Sequence, residues 1–512
     1  MLAKMNSCAL SGMTGYRIQV EVDVGPGLSA FDIVGLPDAS VKESRERVRA
    51  AIKNSGYDFP MRRITVNLAP ADIRKEGPLL DLPIAVAILA ATEQIKDTPL
   101  GKNAVLVGEL SLDGTVRPVN GVLAMTHAMA KDKEISAIIV PKENAEEAAI
   151  IPDHQVIPAL SLRQIAEILN GEREYTPAYL DAAALFQANQ TENPLDMADV
   201  KGQSGAKRAL EIAAAGGHNL LMIGPPGSGK TMLAKRLPTI MPQLTLEESI
   251  EVTEVFSVAG LLPRGQALLT QRPFRSPHHL SSAVSIIGGG ANPRPGEISL
   301  AHHGVLFLDE FPEFHRDVLE ALRQPLEDQQ VVIARANGRV QFPADFQLIA
   351  AMNPCPCGFW GDGLRPCTCT PYARAHYQRK LSGPLMDRID LHVQVPRVEY
   401  QQISAGSGTE ETSAQILSRV MAAREIQLHR LSDRGIYTNA RMGRREIEDF
   451  CQPDAAGELL LKQAFERLGM SGRSHDRVLK LARTIADLAG SAQIGMAHIA
   501  EAIQYRSLDR EE

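Results

Sequence analysis

A single tryptophan and an aromatic share of 4% leave this 512-residue chain few rings on which nucleobases could stack. Base stacking is therefore excluded as the main mode of any nucleic-acid contact. A basic excess is missing too. The formal net charge is −7 at pH 7, so a polyanion must be met by a local patch or by a ring of subunits. No apolar run approaches the roughly 20 residues of a membrane span. The most apolar stretch, Pro83 to Ala91, is short and lies just after Asp81. Met1-Leu2-Ala3-Lys4-Met5-Asn6 holds no sustained apolar core for export. Six cysteines in so long a chain make no disulfide framework, and the expected compartment is the reducing cytoplasm. The rest of the composition, 44% hydrophobic and 22% charged, is that of a globular protein. The length leaves room for about two to four domains.

What is present is a phosphate-binding loop, Gly224-Pro225-Pro226-Gly227-Ser228-Gly229-Lys230-Thr231. It follows an apolar run, Asn219 to Ile223, that reads as a buried strand, and it precedes the opening turns of a helix, Met232 to Leu237. Glycines let the backbone curl around an anion, and the following N–H groups point at it. An ordinary strand-to-helix turn has no reason to place Lys-Thr after its last glycine. Lys230 is expected to neutralise the β- and γ-phosphates of ATP, and Thr231 to hold Mg²⁺. Val305-Leu306-Phe307-Leu308-Asp309-Glu310 supplies the partner motif. An acidic pair can end a strand merely to meet water, but after a phosphate loop Asp309 suits the magnesium shell and Glu310 suits the general base.

Three regions separate on pattern. Residues 1–170 mix strands (16–24, 63–68, 104–107, 137–140) with helices (38–55, 79–91). A polar stretch over 171–197 reads as a linker. Residues 198–397 hold the nucleotide motifs and read as an α/β unit. Residues 398–512 are mainly helical, with helix periodicity over 412–431, 444–452, 455–468, 473–490 and 495–507.

Other positions carry chemistry with alternatives open. Asn353 ends a third apolar strand, Phe346 to Met352, where it either aligns the attacking water or simply forms a turn before Pro354. Arg388 either pairs with Asp387 or Asp390, or stabilises transition-state charge on a neighbouring subunit's nucleotide. Arg473 and Arg477 lie one helical turn apart, facing the same way, so that one of them could reach back to the nucleotide. Cys355-Pro356-Cys357 and Cys367-Thr368-Cys369 bracket nine residues. Four thiolates from two short loops suit tetrahedral Zn²⁺, although C-x-C is tighter than the commoner spacing; reduced, unliganded thiols are the alternative. Cys8 and Cys451 stand alone, as packing residues do.

This order of motifs resembles the AAA+ ATPases, specifically the magnesium-chelatase-like branch that includes the replicative MCM helicases. A competence-protein family within it matches nearly end to end. The likeness is carried by Gly202-Gln203, Arg208 to His218, Phe274-Arg275-Ser276-Pro277-His278-His279, Asn292 to Ile298, Leu306 to Glu310 and Ala482 to Leu488. The resemblance implies an AAA+ core with a helical C-terminal lid. It places Asn353 as first sensor, Arg388 as arginine finger, and Arg473 as second sensor with Arg477 as rival. In this branch, insertions form hairpins lining the pore of a hexameric ring. Residues 286–298, with Arg294, fit the first insertion. Residues 331–340 fit the second, a hairpin with Asn-Gly at its turn, where Arg335 and Arg339 would either grip a DNA backbone or merely keep the hairpin soluble.

The N-terminal region resembles the proteolytic domain of Lon proteases, through Val107 to Val122 and Val140 to Asn144. That implies an α+β fold of the ribosomal protein S5 domain 2 type. The family's Ser after Gly-Pro and its later Lys are both missing here, since the chain reads Gly77-Pro78-Leu79-Leu80-Asp81 and Gly121-Val122-Leu123-Ala124-Met125. Fold without protease is the expectation. The resemblances together imply a ring-shaped ATP-dependent motor on single-stranded or branched DNA, promoting branch migration during natural transformation. A chelatase-type machine and a protein-remodelling ATPase are the alternatives.

Overall fold

The computed structural model describes residues 1–188, 194–290, 292–335, 338–363, 365–398, 410–468 and 470–506. Leu2–Ser11 (β1), Thr14–Gly25 (β2), Ala30–Val34 (β3), Arg63–Ala69 (β4), Ala104–Leu106 (β5), Ala137–Pro141 (β8) and Gln155–Ala159 (β9) form one sheet, in the order β3-β4-β2-β1-β5-β8-β9. Glu109–Leu110 (β6) and Val116–Arg117 (β7) make a small hairpin beside it. The sheet is mixed: β1 and β4 flank β2 antiparallel, while β1-β5-β8-β9 run parallel. Alternate residues feed two cores. Ala104, Leu106, Ala137 and Ile139 face one, whereas Val105, Ile138 and Val140 face the other. A strand covered on both sides reads as a continuous apolar run, which is what 137–140 shows.

The helix Ala39–Asn54 starts where Asp38 accepts the Val41 N–H at 2.8 Å. The helix Asp81–Ala91 is buried almost all round. Its Asp81 is gripped by Arg47 through Nε at 2.7 Å and Nη2 at 3.1 Å. Pairing of this kind is what makes a buried carboxylate tolerable. Ahead of this helix the turn from Gly77 leads through Pro78 into leucines and this engaged carboxylate.

Leu220–Ile223 (β10), Phe274–Arg275 (β11), Val305–Leu308 (β14), Gln347–Met352 (β17) and Leu391–Gln394 (β18) build a second sheet, all parallel, in the order β11-β14-β17-β10-β18. Two hairpins project from this part: Gly288–Gly289 (β12) with Arg294–Pro295 (β13), and Gln330–Arg335 (β15) with Gly338–Pro343 (β16). One face of the sheet (Leu220, Met222, Phe307, Ile349, Val393) shares a single core with Ile416, Val420, Leu481, Ile485 and Ala502 of the C-terminal helices. The opposite face (Leu221, Ile223, Leu306, Leu348) packs on Phe311, Phe314 and Leu385. The helical part of the chain is thus joined to the sheet by continuous packing.

The polar stretch 171–197 is more than a connection. Ala182–Ala188 is a helix whose Leu185 and Phe186 pack with Leu246, Ile250 and Leu268. The helix Leu246–Ala259 in turn joins the two sheets, because Glu254 meets His127 and Ser257 meets Glu147. Among the described residues, no helix is long and apolar enough to cross a membrane.

Asp487 anchors the C-terminal helices. Its two oxygens accept from Arg430 Nη1 at 3.1 Å, Arg483 Nε at 3.0 Å and Asn439 Nδ2 at 2.8 Å. Asp487→Ala would leave two largely buried guanidinium groups without their carboxylate. It should lower unfolding free energy by about 3 kcal/mol in chemical denaturation, with Asp487→Asn losing less.

Candidate nucleotide-binding site

Strands β14, β17 and β10 lie side by side and run the same way, so the residues just past their last positions meet on one edge. Ligands bind at such an edge where strand order switches, as it does here with β17 inserted beside β10. Gly224 follows β10, Asp309 and Glu310 follow β14, and Asn353 follows β17. Gly229 has φ +91°, a conformation open to glycine, and turns the loop into the helix Lys230–Arg236.

Polar groups converge there. Lys230 Nζ donates to Gly224 O at 2.7 Å and Pro225 O at 3.0 Å, and reaches Asn353 Oδ1 at 3.4 Å. Burial pushes its ammonium pKa down, and the nearby Asp309 charge pulls it back up. Thr231 Oγ1 donates to Asp309 Oδ2 at 2.8 Å, so these two oxygens already sit as neighbours in a common cation shell would. Ser228 Oγ is buried in the loop without a partner among the described residues, and an unpaired buried hydroxyl is what an anion's oxygen would satisfy. The residues fit a nucleoside triphosphate with Mg²⁺.

Glu310 adopts φ +53° and ψ +43°, a left-handed conformation worth about 1–3 kcal/mol of strain in a residue with a Cβ. Its N–H donates to Asp309 Oδ1 at 2.9 Å. Its carboxylate is held by His279 Nδ1 at 2.8 Å and is otherwise half open to solvent.

Residues 196–403 match the family described as magnesium chelatase, subunit ChlI; residues 20–144 match subunit ChlI of Mg-chelatase, and residues 410–506 its C-terminal part. Competence protein ComM of Haemophilus influenzae is 44% identical over 99% of this chain and 98% of its own. The uncharacterized protein YifB of Escherichia coli K12 is also 44% identical, over the same shares. The chain belongs to the ComM/YifB family of magnesium-chelatase-type AAA+ ATPases. An archaeal Lon protease of Thermococcus kodakarensis is 27% identical over 33% of this chain and 27% of its own, which accords with a Lon-like N-terminal region. Family membership makes the chain an ATPase, with ATP and Mg²⁺ as its implied ligands.

Other expected site residues of this ComM/YifB relative fall elsewhere. Arg388 lies just before β18, where its backbone O accepts from Asn219 Nδ2 at 2.9 Å at the start of β10. About 13 Å of strand, four residues at 3.3 Å each, separates that end from Gly224. Arg388 pairs with Glu327, and its Nε is buried without a partner among the described residues. Arg473 stands 3.9 Å from Asp387 and Arg477 3.5 Å from Asp390, at the same end. Both arginines thus pair with carboxylates beside the foot of β10, where Thr484 of the same helix binds His218 at 2.8 Å. Burial alone would raise the Asp390 carboxyl pKa; His218 and Arg477 more than offset this and hold it below the ordinary range.

The two hairpins flank the helix Glu297–Leu300. Arg294 and Arg339 are exposed on them. The Arg335 side chain and the turn residues 336 and 337 lie outside the described residues. Just beyond Asn353, Cys355, Cys357, Cys367 and Cys369 converge, with every pair of sulfurs within 4.8 Å. Glu251, His302 and His303 also cluster. There His302 Nδ1 accepts the Asp345 N–H at 3.1 Å and Nε2 meets Glu251 at 3.1 Å, so its ring is already satisfied as a structural bridge.

His279 is the site residue that sequence reading missed. It was visible only as part of a Pro-His-His string; its approach to Glu310 depends on β11 pairing with β14. His279→Ala should slow ATP turnover about tenfold, 1.4 kcal/mol, while a fluorescent ATP analogue binds as tightly as before. Unchanged turnover would mean that Glu310 is oriented without it.

Proposed function

We propose that the chain is an ATP-driven DNA motor that works as a homo-hexameric ring and promotes branch migration while incoming DNA is integrated. The separation of the two halves of the hydrolytic set supports this above all. Lys230, Thr231, Asp309, Glu310 and Asn353 gather at one edge of the sheet, while Arg388, Arg473 and Arg477 gather at the other end of β10 and β18. Charge of the second set can serve a nucleotide only if that nucleotide belongs to an adjacent copy. The competence function named for the Haemophilus relative supports the choice of DNA as the track.

In this reading Gly224, Pro225, Pro226, Gly227, Ser228 and Gly229 wrap the phosphates, and Lys230 carries the countercharge to the β- and γ-positions. Thr231 and Asp309 hold Mg²⁺, which screens charge on the phosphate oxygens. Glu310 takes a proton from the attacking water, Asn353 holds that water in line, and Arg388 of the next chain steadies the charge that develops. Arg473 or Arg477 acts in the same shared interface. Arg294, Arg335 and Arg339 on the hairpins meet the DNA backbone in the central channel, so that a ring of acidic chains still presents a basic bore. A structural Zn²⁺ at the four cysteines completes the set.

The test is ATP turnover with and without single-stranded and branched DNA. Several-fold stimulation is expected, falling steeply with salt, and Arg339→Ala should flatten that salt dependence. Indifference to every DNA, with stimulation by a protein partner, would favour the chelatase-type or remodelling alternative.

A further inference from the structure

We propose that Cys355, Cys357, Cys367 and Cys369 hold one Zn²⁺, and that this metal staples the loop that buttresses the phosphate loop. The metal site stands on sulfur geometry; only the buttressing role rests on the nucleotide reading above.

The sulfurs of Cys355 and Cys357 are 3.4 Å apart, those of Cys355 and Cys367 3.7 Å, and those of Cys357 and Cys367 3.6 Å. Four thiolates at about 2.3 Å from Zn²⁺ would be about 3.8 Å from one another along the edges of a tetrahedron. A disulfide would require about 2.05 Å. The backbone N–H of Cys357 donates to Cys369 Sγ at 3.3 Å, and that of Cys369 to Cys367 Sγ at 3.4 Å. Amide donors of this kind disperse charge on metal-bound sulfur and orient it. Four neutral thiols would gain little by converging so closely, since the S–H group is a weak donor.

Among the described residues between the two pairs, only Gly358 is buried. Phe359 and Trp360 are covered from outside by Arg365 and Arg374, each guanidinium 5.3 Å from its ring. Gly358 itself sits tightly. Its φ is +84°, and a Cβ added there would stand 2.7 Å and 2.9 Å from Pro226 and 3.9 Å from Asn353 Cγ. The cysteine loop is thus pressed against both the phosphate loop and Asn353. A metal cross-link is what a short loop so little buried needs to keep such a position. On binding, thiol protons pass to solvent and the sulfurs bond to the metal.

Full-length protein purified without chelator should carry about one zinc per chain by elemental mass spectrometry. Its zinc-edge X-ray absorption should show four sulfurs at about 2.3 Å. The double variant Cys357→Ser/Cys369→Ser should lose the metal. Absence of metal, or a shell of nitrogen and oxygen, would overturn the site. Stripping the metal should weaken binding of a fluorescent ATP analogue about tenfold, and added Zn²⁺ should restore it. Gly358→Ala, which keeps all four thiols, should retain zinc and yet weaken ATP. Full ATP affinity after metal loss and in Gly358→Ala would overturn the buttress and leave the metal site standing. If the zinc-loaded parent binds no ATP, the nucleotide reading itself fails.

Discussion

Arg388→Ala chains should hydrolyse ATP about 1,000-fold more slowly than the parent, at the lower end of what arginine fingers contribute. They should also regain measurable turnover when mixed with Lys230→Ala chains. Each variant alone lacks one half of every site. In a mixed ring, some interfaces join an intact phosphate loop to an intact Arg388, and those interfaces work. Arg388 already occupies the far end of β10 from the loop, so no rearrangement within one chain is needed to explain rescue. If Arg388→Ala turned over normally, its pairing with Glu327 would be its whole role. If mixing rescued nothing while the parent forms rings, the shared site would be refuted.

Glu310→Gln should bind ATP normally, hydrolyse it at least about 100-fold more slowly, and accumulate as an ATP-bound oligomer. The amide keeps the shape of the carboxylate but cannot accept the proton of the attacking water, an effect worth about 10²–10⁴ in rate. Because Glu310 N–H binds Asp309 and the side chain meets His279, the substitution removes basicity with little change in placement. Native mass spectrometry with ATP reads the trapped oligomer, and phosphate release reads the rate. Parental turnover would show that another group activates the water.

Much of the site was legible because its parts are contiguous. The phosphate loop carries its strand, its glycines and its Lys-Thr within a dozen residues, and Asp309-Glu310 carries the apolar run of β14. Periodicity likewise placed the helices: 473–490 was expected and Gly472–Leu488 found, 38–55 expected and Ala39–Asn54 found. Strand β1 was not read, since Leu2-Ala3-Lys4-Met5-Asn6 has no clean alternation. It exists because β2 and β5 supply partners on either side. The helix Ala182–Ala188 was hidden for a similar reason: among polar neighbours, Leu185 and Phe186 gain a role only from the apolar patch at Leu246 and Leu268.

Local chemistry, then, was written in the order of residues: an anion cradle, an acid pair, four sulfurs at close spacing. How far apart Arg388 and Lys230 stand, that His279 holds Glu310, and that Gly358 presses on Pro226 followed from strand order and helix crossing instead. Those depend on pairing and packing between segments tens to hundreds of residues apart, and no short window of a chain encodes such distances.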